Sequence, residues 1–197
     1  RGDRWQRISP DLSYNDADKL GDIPYQTIFA IAESPQHFGS LYVGTDDGRA
    51  HYTNDGGIQW VEITNGLAPN RWVSRIEASR FASGTIYLAQ NGKRNDDFAA
   101  YLWRSPDHGA TWSDNADGIP CGPINVVRED PKNAGILYVG TDLGVYVSTD
   151  AAKSWNVLGG GLPTVHVHDL IIHPEADVAV IATHGRGMYA LDIQALR

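Results

Sequence analysis

Three copies of one eight-residue pattern constrain the fold of this chain more than any other feature. Each copy reads Ser/Thr-x-Asp-x-Gly-x-x-Trp, and the copies occupy residues 53–60, 105–112 and 148–155. In the third copy Ala152 replaces the glycine. The copies are 52 and 43 residues apart, and a recurrence at such intervals is typical of repeat architectures, in which one supersecondary unit stacks against the next.

Short runs of β-branched and aromatic residues accompany each copy and predict strands. The first runs cover residues 27–32, 73–78, 124–127 and 169–172, the second 41–45, 86–90, 137–141 and 178–183, and the third 50–52, 101–103, 145–147 and 188–191. A fourth strand opens with the tryptophan of each copy, as in residues 60–63. Four strands in about 45 residues predict an all-β fold, a β-propeller of four-stranded antiparallel blades.

The repeat divides residues 1–197 into about four blades of a single propeller region, at about 25–64, 71–115, 122–158 and 165–193. Residues 5–9 resemble residues 60–64, so we expect a strand at 4–9 that completes a blade. That strand either closes a ring with the last repeat, which would remove an exposed sheet edge, or belongs to a blade of a larger ring. The chain begins Arg1-Gly2-Asp3-Arg4, without an initiator Met or a signal peptide, and we expect it to be processed or truncated.

Composition argues against several classes of partner. The net charge is −8 and the 16 basic residues are scattered, so nucleic acid and anionic membranes would meet repulsion at long range. No apolar run approaches the roughly 18 residues that span a bilayer. The single cysteine, Cys121, excludes an intrachain disulfide and is interpreted as an inert loop residue.

The repeated residues have a structural explanation. An Asp carboxylate can accept hydrogen bonds from nearby backbone amides in a tight turn, glycine permits the positive φ needed there, and tryptophan packs between blades. Catalytic acids or calcium ligands are the alternative, but catalysis rarely needs three identical copies. The residues assigned to this structural role are Asp55, Gly57, Trp60, Asp107, Gly109, Trp112, Asp150 and Trp155. We expect neither a metal nor a cofactor.

The pattern resembles the Asp-box, or bacterial neuraminidase repeat (BNR), of sialidases, sortilin-type receptor domains and xyloglucanase-type hydrolases. Further strings are similar to one group, the large bacterial sortilin-like or glycosyl-hydrolase-like repeat proteins; they lie at residues 8–12, 33–35, 44–48, 72–79, 128–131 and 182–187. This resemblance implies the C-terminal part of a longer propeller in a secreted or periplasmic bacterial protein. It implies little about activity, because one fold carries many functions.

Strand alternation predicts that the Asp turns lie at one face and that the loops between second and third strands lie at the other. Those loops carry Asp46, Asp47, Asn91, Arg94, Asp96, Asp97, Asp142, His184 and Arg186. The loops that lead into each blade share the second face and carry Asn70, Arg71, Pro120, Cys121, His166 and His168. Acidic, basic and hydrogen-bonding groups therefore converge on one rim, as a ligand site requires.

The candidates on this rim each have a structural alternative. His184, Arg186, Arg71 and Asn91 are the expected ligand-binding residues. The two glycines around His184 and Arg186 either allow a ligand to approach the backbone or merely shape a bent hairpin. Asp46 and Asp142 follow Gly-Thr and can cap their turns. His166 and His168 could share a face as a metal pair, but no third ligand is evident.

Two functions of different classes follow, so whether the chain is an enzyme stays open. The first is a binding or scaffold module that presents its rim to a glycan, a peptide or a protein. The alternative is a glycoside hydrolase in which Asp46 or Asp47 acts with Asp142, at a separation of roughly 6.5–9.5 Å for inverting chemistry. A further expected partner is the remaining segment of a parent propeller or a second copy of the chain.

Overall fold

The computed structural model describes residues 4–19, 25–120 and 122–197, so that Cys121 lies outside the described residues. Within them fifteen strands form four antiparallel sheets in chain order. Each sheet is a meander of consecutive strands, called here blades 1 to 4. The predicted all-β propeller of antiparallel blades is confirmed, with four strands in blades 1 to 3 and three in blade 4.

The strand bounds follow the sequence pattern closely. Blade 1 comprises β1 (Ile28–Glu33), β2 (Leu41–Thr45), β3 (Ala50–Thr53) and β4 (Val61–Glu62), and blade 2 comprises β5 (Trp72–Ala78), β6 (Ile86–Asn91), β7 (Tyr101–Ser105) and β8 (Ser113–Asp114). Blade 3 comprises β9 (Ile124–Glu129), β10 (Leu137–Thr141), β11 (Gly144–Ser148) and β12 (Asn156–Val157), and blade 4 comprises β13 (Val167–Ile172), β14 (Val178–Thr183) and β15 (Met188–Asp192). Three short 3-10 helices lie at Ala17–Lys19, Lys93–Asn95 and Gln194–Leu196. No helix in the described part of the chain is long and apolar enough to cross a membrane.

The core lies between blades. Side chains of blades 1 and 2, 2 and 3, and 3 and 4 form three separate apolar clusters. Tyr42, Tyr87 and Tyr138 occupy matching positions on the second strands, and all three are almost fully buried against the next blade. Blades approach so closely that a Cβ on Gly44 would lie 2.2 Å from a methyl of Val73. Glycine there is required for packing.

Each copy of the repeated pattern forms the same turn, called here an Asp turn, between third and fourth strands. In the second copy Ser105 Oγ donates to Asp107 Oδ1 at 2.8 Å, and the same oxygen accepts from the Thr111 amide. The indole Nε1 then donates to a carbonyl near the end of the preceding fourth strand: Trp112 to Ile63 and Trp155 to Asn115. The turns therefore satisfy their own backbone and tie neighbouring blades together.

Two expectations need adjustment. Trp155 is buried with 7% exposure, but Trp60 and Trp112 are only partly buried. Residues 4–9 are not paired as a strand in this structure. They nevertheless lie against blade 1, because Trp60 Nε1 donates to the Ile8 carbonyl at 2.8 Å.

Candidate functional site

The first strand of every blade contains a β-bulge near its start. The register between first and second strands shifts by one residue there, which leaves one extra residue on the first strand. The extra residues are Phe29, Ser74, Asn125 and His168 in blades 1 to 4. A bulge changes the direction in which a side chain points, and bulges are over-represented next to functional sites.

All four bulged residues line one pocket. Its volume is about 290 Å³, and it lies opposite the Asp turns, where the first strands of the four blades begin. The rest of the lining comes from Trp72, Arg75, Asn91, Lys93, Arg94 and His166. The pocket therefore receives one bulged side chain from each blade, and no lining residue is a carboxylate.

One wall of the pocket is aromatic. The ring of Phe29 meets Trp72 edge to face at 4.4 Å between centroids, and the guanidinium of Arg94 stacks over Trp72 at 4.7 Å. Two donors in this region, Trp72 Nε1 and Arg75 Nε, are buried without a hydrogen-bond partner among the described residues. A buried donor without a partner costs free energy, so these two atoms are the unsatisfied polar points beside the aromatic wall.

The opposite wall is built around Asp142. This carboxylate accepts hydrogen bonds from Asn125 Nδ2 and Lys93 Nζ, both at 2.9 Å, and lies 3.2 Å from His166 Nδ1. Burial alone would raise the pKa of Asp142, but these hydrogen bonds outweigh it and the net pKa is lowered. Asp142 is therefore ionised at neutral pH and already bound by three pocket-lining residues.

Three histidines gather beside this wall. The His166 ring lies 5.9 Å from that of His168 and 5.8 Å from that of His184, and the His184 amide donates to the His166 carbonyl. Burial lowers the pKa of His166, and the attraction of Asp142 does not compensate for it. The imidazole is thus mostly neutral at pH 7. No group of three metal-ligating side chains is arranged for a metal ion within the described ranges.

The other nominated carboxylates, Asp46 and Asp47, already have partners within the chain. Asp46 accepts from the Thr27 amide at 2.7 Å and pairs with Arg94 at 3.0 Å, and its side chain is almost fully buried. Asp47 accepts from the Tyr14 amide and from the Thr45 hydroxyl. Lys93 and Arg94 are adjacent in the chain but bind different aspartates. Arg94 binds Asp46, which follows β2, and Lys93 binds Asp142, which follows β10.

The four residues expected to bind a ligand have different surroundings. Asn91 lines the pocket and donates to Asn125 at 2.8 Å. Arg71 is held by Asp97 at 2.8 Å, and hydrogen bonds from the Ala99 amide, Tyr101 and Arg71 lower the pKa of Asp97 to about 2. His184 and Arg186 are exposed and do not line the pocket. Their role in binding stays a prediction.

Sequence reasoning missed three of the bulged residues and the aromatic wall. Phe29 and Ser74 read as ordinary strand residues, because a one-residue register shift leaves no mark in an alternating pattern. A signal did exist in the aligned repeats, since the equivalent positions hold Phe, Ser, Asn and His while the residue before each is Ile or Val. His168, placed in a leading loop from sequence, lies within β13.

A partly buried charge network was also missed. Asp169 receives Arg75 of blade 2 and Arg128 of blade 3, both at 3.1 Å, and Arg128 also pairs with Glu77. Burial raises the pKa of Glu77 despite this pairing. The network reaches the pocket through Arg75 and links the first strands of blades 2, 3 and 4.

Comparison with known proteins shows the fold and distant similarity to glycoside hydrolases. The chain is 28% identical over 138 residues to the oligoxyloglucan-reducing end-specific xyloglucanase of Emericella nidulans, a match that covers 66% of this chain and 16% of that protein. The chain thus spans about a sixth of that relative's length. No family model matches the chain.

Solved structures extend the comparison. The chain is similar to the GH74 enzyme of Niastella koreensis, with a TM-score of 0.68 and 20% identity, over 88% of this chain and 30% of that one. It is also similar to YCF48 bound to D1 peptide, with a TM-score of 0.63 and 16% identity, over 85% of this chain and 52% of that one. At these identities the likeness shows a shared β-propeller fold and nothing about activity.

Proposed function

We propose that the chain is the ligand-binding part of a β-propeller in a secreted or periplasmic bacterial protein of the Asp-box type, and that its ligand is a glycan. The observation that carries this proposal is the convergence of one bulged side chain from each of four blades on a single pocket. If the bulged residues only stabilised the repeated fold, the same type of residue would be expected in every blade, yet all four differ.

The lining favours an oxygen-rich ligand with an apolar face. Lys93, Arg94 and Arg75 are donors only. Hydroxyl and ring oxygens of a sugar can accept from these groups. The faces and edges of Phe29 and Trp72 offer contact to the C–H surface of a sugar ring, in a pocket of the size that binds small ligands.

The xyloglucanase relative supports a glycan as ligand, and a hydrolase is the second candidate. Asp142 favours that candidate, since it is ionised and is bound to three residues that line the pocket. Hydrolysis also needs a second carboxyl group that stays protonated. Asp46 and Asp47 are the remaining nominees, but Asp46 is paired with Arg94, and Asp47 accepts hydrogen bonds from the Tyr14 amide and the Thr45 hydroxyl. Ligand binding needs no protonated carboxyl group, so a binding module explains the residues of the site with fewer requirements than a hydrolase does.

Binding can be tested by calorimetric titration with xyloglucan oligosaccharides, followed by a wider glycan array. Phe29→Ala should weaken binding about tenfold or more, because it removes the aromatic wall contributed by blade 1. Phe38→Ala is the matched control: Phe38 is exposed on the hairpin that joins β1 and β2, at the Asp-turn end. Equal affinity of the two variants, or no glycan bound by the native chain, would contradict the proposal.

The hydrolase candidate is tested on the same oligosaccharides by measuring released reducing ends. Asp142→Asn keeps the size of the side chain and should leave a purely binding site largely intact. If Asp142 is a catalytic group, release should occur in the native chain and fall by several orders of magnitude in the variant. Absence of release from the native chain, with binding retained, supports the binding module.

A further inference from the structure

The loop that follows the second strand of blade 2 differs in charge from the matching loops of its two neighbours. Blades 1 and 3 carry an aspartate directly after the second strand, Asp46 and Asp142, whereas blade 2 places Lys93 and Arg94 in a short 3-10 helix. Both cations line the pocket, and no carboxylate among the described residues does. The charged side chains that a ligand would meet from this loop are therefore basic.

The two ion pairs of this loop have their positive partner on the outside. The side chain of Lys93 is 53% exposed and that of its partner Asp142 only 15%, while Arg94 is 43% exposed and its partner Asp46 3%. The two carboxylates hold the cations in place but do not line the pocket. A ligand in the pocket would therefore contact the ammonium and guanidinium groups rather than their partners.

Both cations keep hydrogen-bond donors for a ligand. An ammonium group has three N–H bonds and a guanidinium group has five. In the described part of the chain, Lys93 Nζ makes one hydrogen bond, to Asp142 at 2.9 Å, and Arg94 makes one, to Asp46 at 3.0 Å. The Arg94 guanidinium also lies over the Trp72 ring, which helps to position it before a ligand binds.

The neutral polar groups of the lining are already used within the chain. Asn91 Oδ1 accepts from the Lys93 amide, and Asn125 Oδ1 accepts from Asn91 Nδ2. Ser74 donates its hydroxyl proton to the Ile124 carbonyl. The lining thus provides many donors and few side-chain acceptors. A sugar hydroxyl has a proton that needs an acceptor, whereas an ionised acid group only accepts, so the lining matches an anion better than a neutral hydroxyl.

From this donor-rich lining we infer that the sugar bound here carries an anionic group, the carboxylate of a uronic acid or a sulfate ester, and that Lys93 and Arg94 bind it. This inference rests on the proposed glycan-binding function. Hydrogen bonds between a cation and an anion are shorter and stronger than neutral ones. The pocket volume of about 290 Å³ is close to the lower limit of typical ligand sites, which suits a single charged sugar unit.

The net charge of −8 does not prevent this contact. Salt screens charges that are more than about 8 Å apart at physiological ionic strength, whereas a hydrogen-bonded anion would lie about 3 Å from the cations. Asp142 is much nearer and competes for Lys93. Asp142→Asn should therefore strengthen the binding of a charged sugar about two- to fivefold, and leave the binding of a neutral sugar unchanged.

The experiment is a calorimetric titration of the 197-residue chain with matched pairs of sugars. An oligogalacturonide is compared with its carboxyl-reduced form, in which each carboxylate has become a neutral CH₂OH group, and a carrageenan oligosaccharide with its desulfated form. At least one charged sugar should bind about tenfold or more tightly than its neutral form, and that preference should shrink as NaCl is added. The pair that shows the preference identifies the anion as carboxylate or sulfate.

Lys93→Gln and Arg94→Gln should each remove most of this preference, and Lys132→Gln is the matched control. Lys132 pairs with Asp177 at 2.9 Å, as Lys93 does with Asp142, and its side chain is 40% exposed. It lies outside the pocket, between β9 and β10 at the Asp-turn end. The control should therefore keep the preference, and urea titration should show that all three variants fold.

Two outcomes overturn the inference while glycan binding stands: equal affinity for the charged and neutral forms, or a preference for the charged form that Lys93→Gln and Arg94→Gln leave unchanged. The second would mean that the two cations only tie blade 2 to its neighbours. If neither these sugars nor xyloglucan oligosaccharides bind, the proposed function fails and the inference fails with it.

Discussion

The two ends of the blades contrast in what they keep constant. At one end three Asp turns repeat the same residues and the same hydrogen bonds, from Thr53, Ser105 and Ser148 to their aspartates. At the other end the bulge recurs in all four blades, but its extra residue is different each time. The Asp turns keep both their backbone shape and their side chains, which indicates a role in the fold. The bulges keep their backbone shape but change their side chain from blade to blade, which indicates a role in binding a ligand.

The largest effect that can test this contrast lies at the Asp-turn end. Trp155→Ala should lower the free energy of unfolding by about 3–5 kcal/mol, because the ring is buried in the cluster between blades 2 and 3 and its N–H has a partner. Trp60→Ala should cost much less, since Trp60 is part of none of the three clusters. Urea titration of both variants checks this. Equal losses of unfolding free energy would show that the burial of the tryptophan does not decide how much each Asp turn contributes to stability.

A smaller effect is expected for the glycine of the turn. Gly109 has a φ of +90°, and an added Cβ would lie 2.6 Å from the Ile63 side chain, so Gly109→Ala should cost about 1–3 kcal/mol. Gly56→Ala is the matched control, because Gly56 also has positive φ but nothing lies within 4 Å of its Cβ position. The difference between the two losses of unfolding free energy measures the contribution of the clash with Ile63 alone. A larger loss for Gly56→Ala would contradict this assignment.

Acid should affect the aspartate of an Asp turn and the more buried histidines in separate pH ranges. Hydrogen bonds from Ser154 and Ser148 lower the pKa of Asp150 to about 2, so its stabilisation is present above pH 3.8 and is lost as pH falls toward 2. Burial lowers the pKa of His51 to about 4 and also lowers that of His166, so the unfolded state binds more protons and stability falls already below pH 6.5.

The variant that separates these windows is Asp150→Asn. It should flatten the dependence of the unfolding free energy on pH below about 4 and leave the slope between 6.5 and 4 unchanged. Urea unfolding at a series of pH values gives both slopes. A variant that altered only the upper window would place the acid-sensitive group elsewhere.

The smallest effect on stability is expected at the bulges. His168→Ala should change the free energy of unfolding by less than about 0.5 kcal/mol, because His168 is exposed and the surrounding strand pairs continue on both sides of it. Leu170→Ala, two residues away in the same strand and buried, should cost about 2–5 kcal/mol. If both changes cost the same, the bulged residue would have a structural role after all.

The fold could be predicted from the sequence because its signals are local and repeated. Strand runs and the tryptophan spacing gave four antiparallel blades, with strand bounds within one or two residues for β2, β6, β10 and β14. The fourth strands were less accurate, since β4, β8 and β12 each contain only two paired residues. So short an outer strand is defined by its neighbours more than by its own residues.

The site was harder to predict because its geometry depends on register and on partners far away in the chain. Asp46 and Asp142 read as equivalent turn residues, yet one is bound by Arg94 and the other by Lys93, both from the loop after β6. Nothing near either aspartate in the sequence indicates that partner. Strand direction alone puts the loops between second and third strands opposite the Asp turns, whereas the residues that line the pocket depend on the bulges.

The indole hydrogen bonds also determine how the arc loses structure. Trp112 and Trp155 each join their turn to the blade immediately before it, and Trp60 joins its turn to Ile8, so these bonds link nearest neighbours only. Such a chain of pairwise contacts opens in steps from its ends, as in linear repeat proteins. Amide hydrogens in the inner strands of blades 2 and 3 should accordingly exchange with solvent last, and those of blades 1 and 4 first. Covering both ends at once would remove the places where opening can begin.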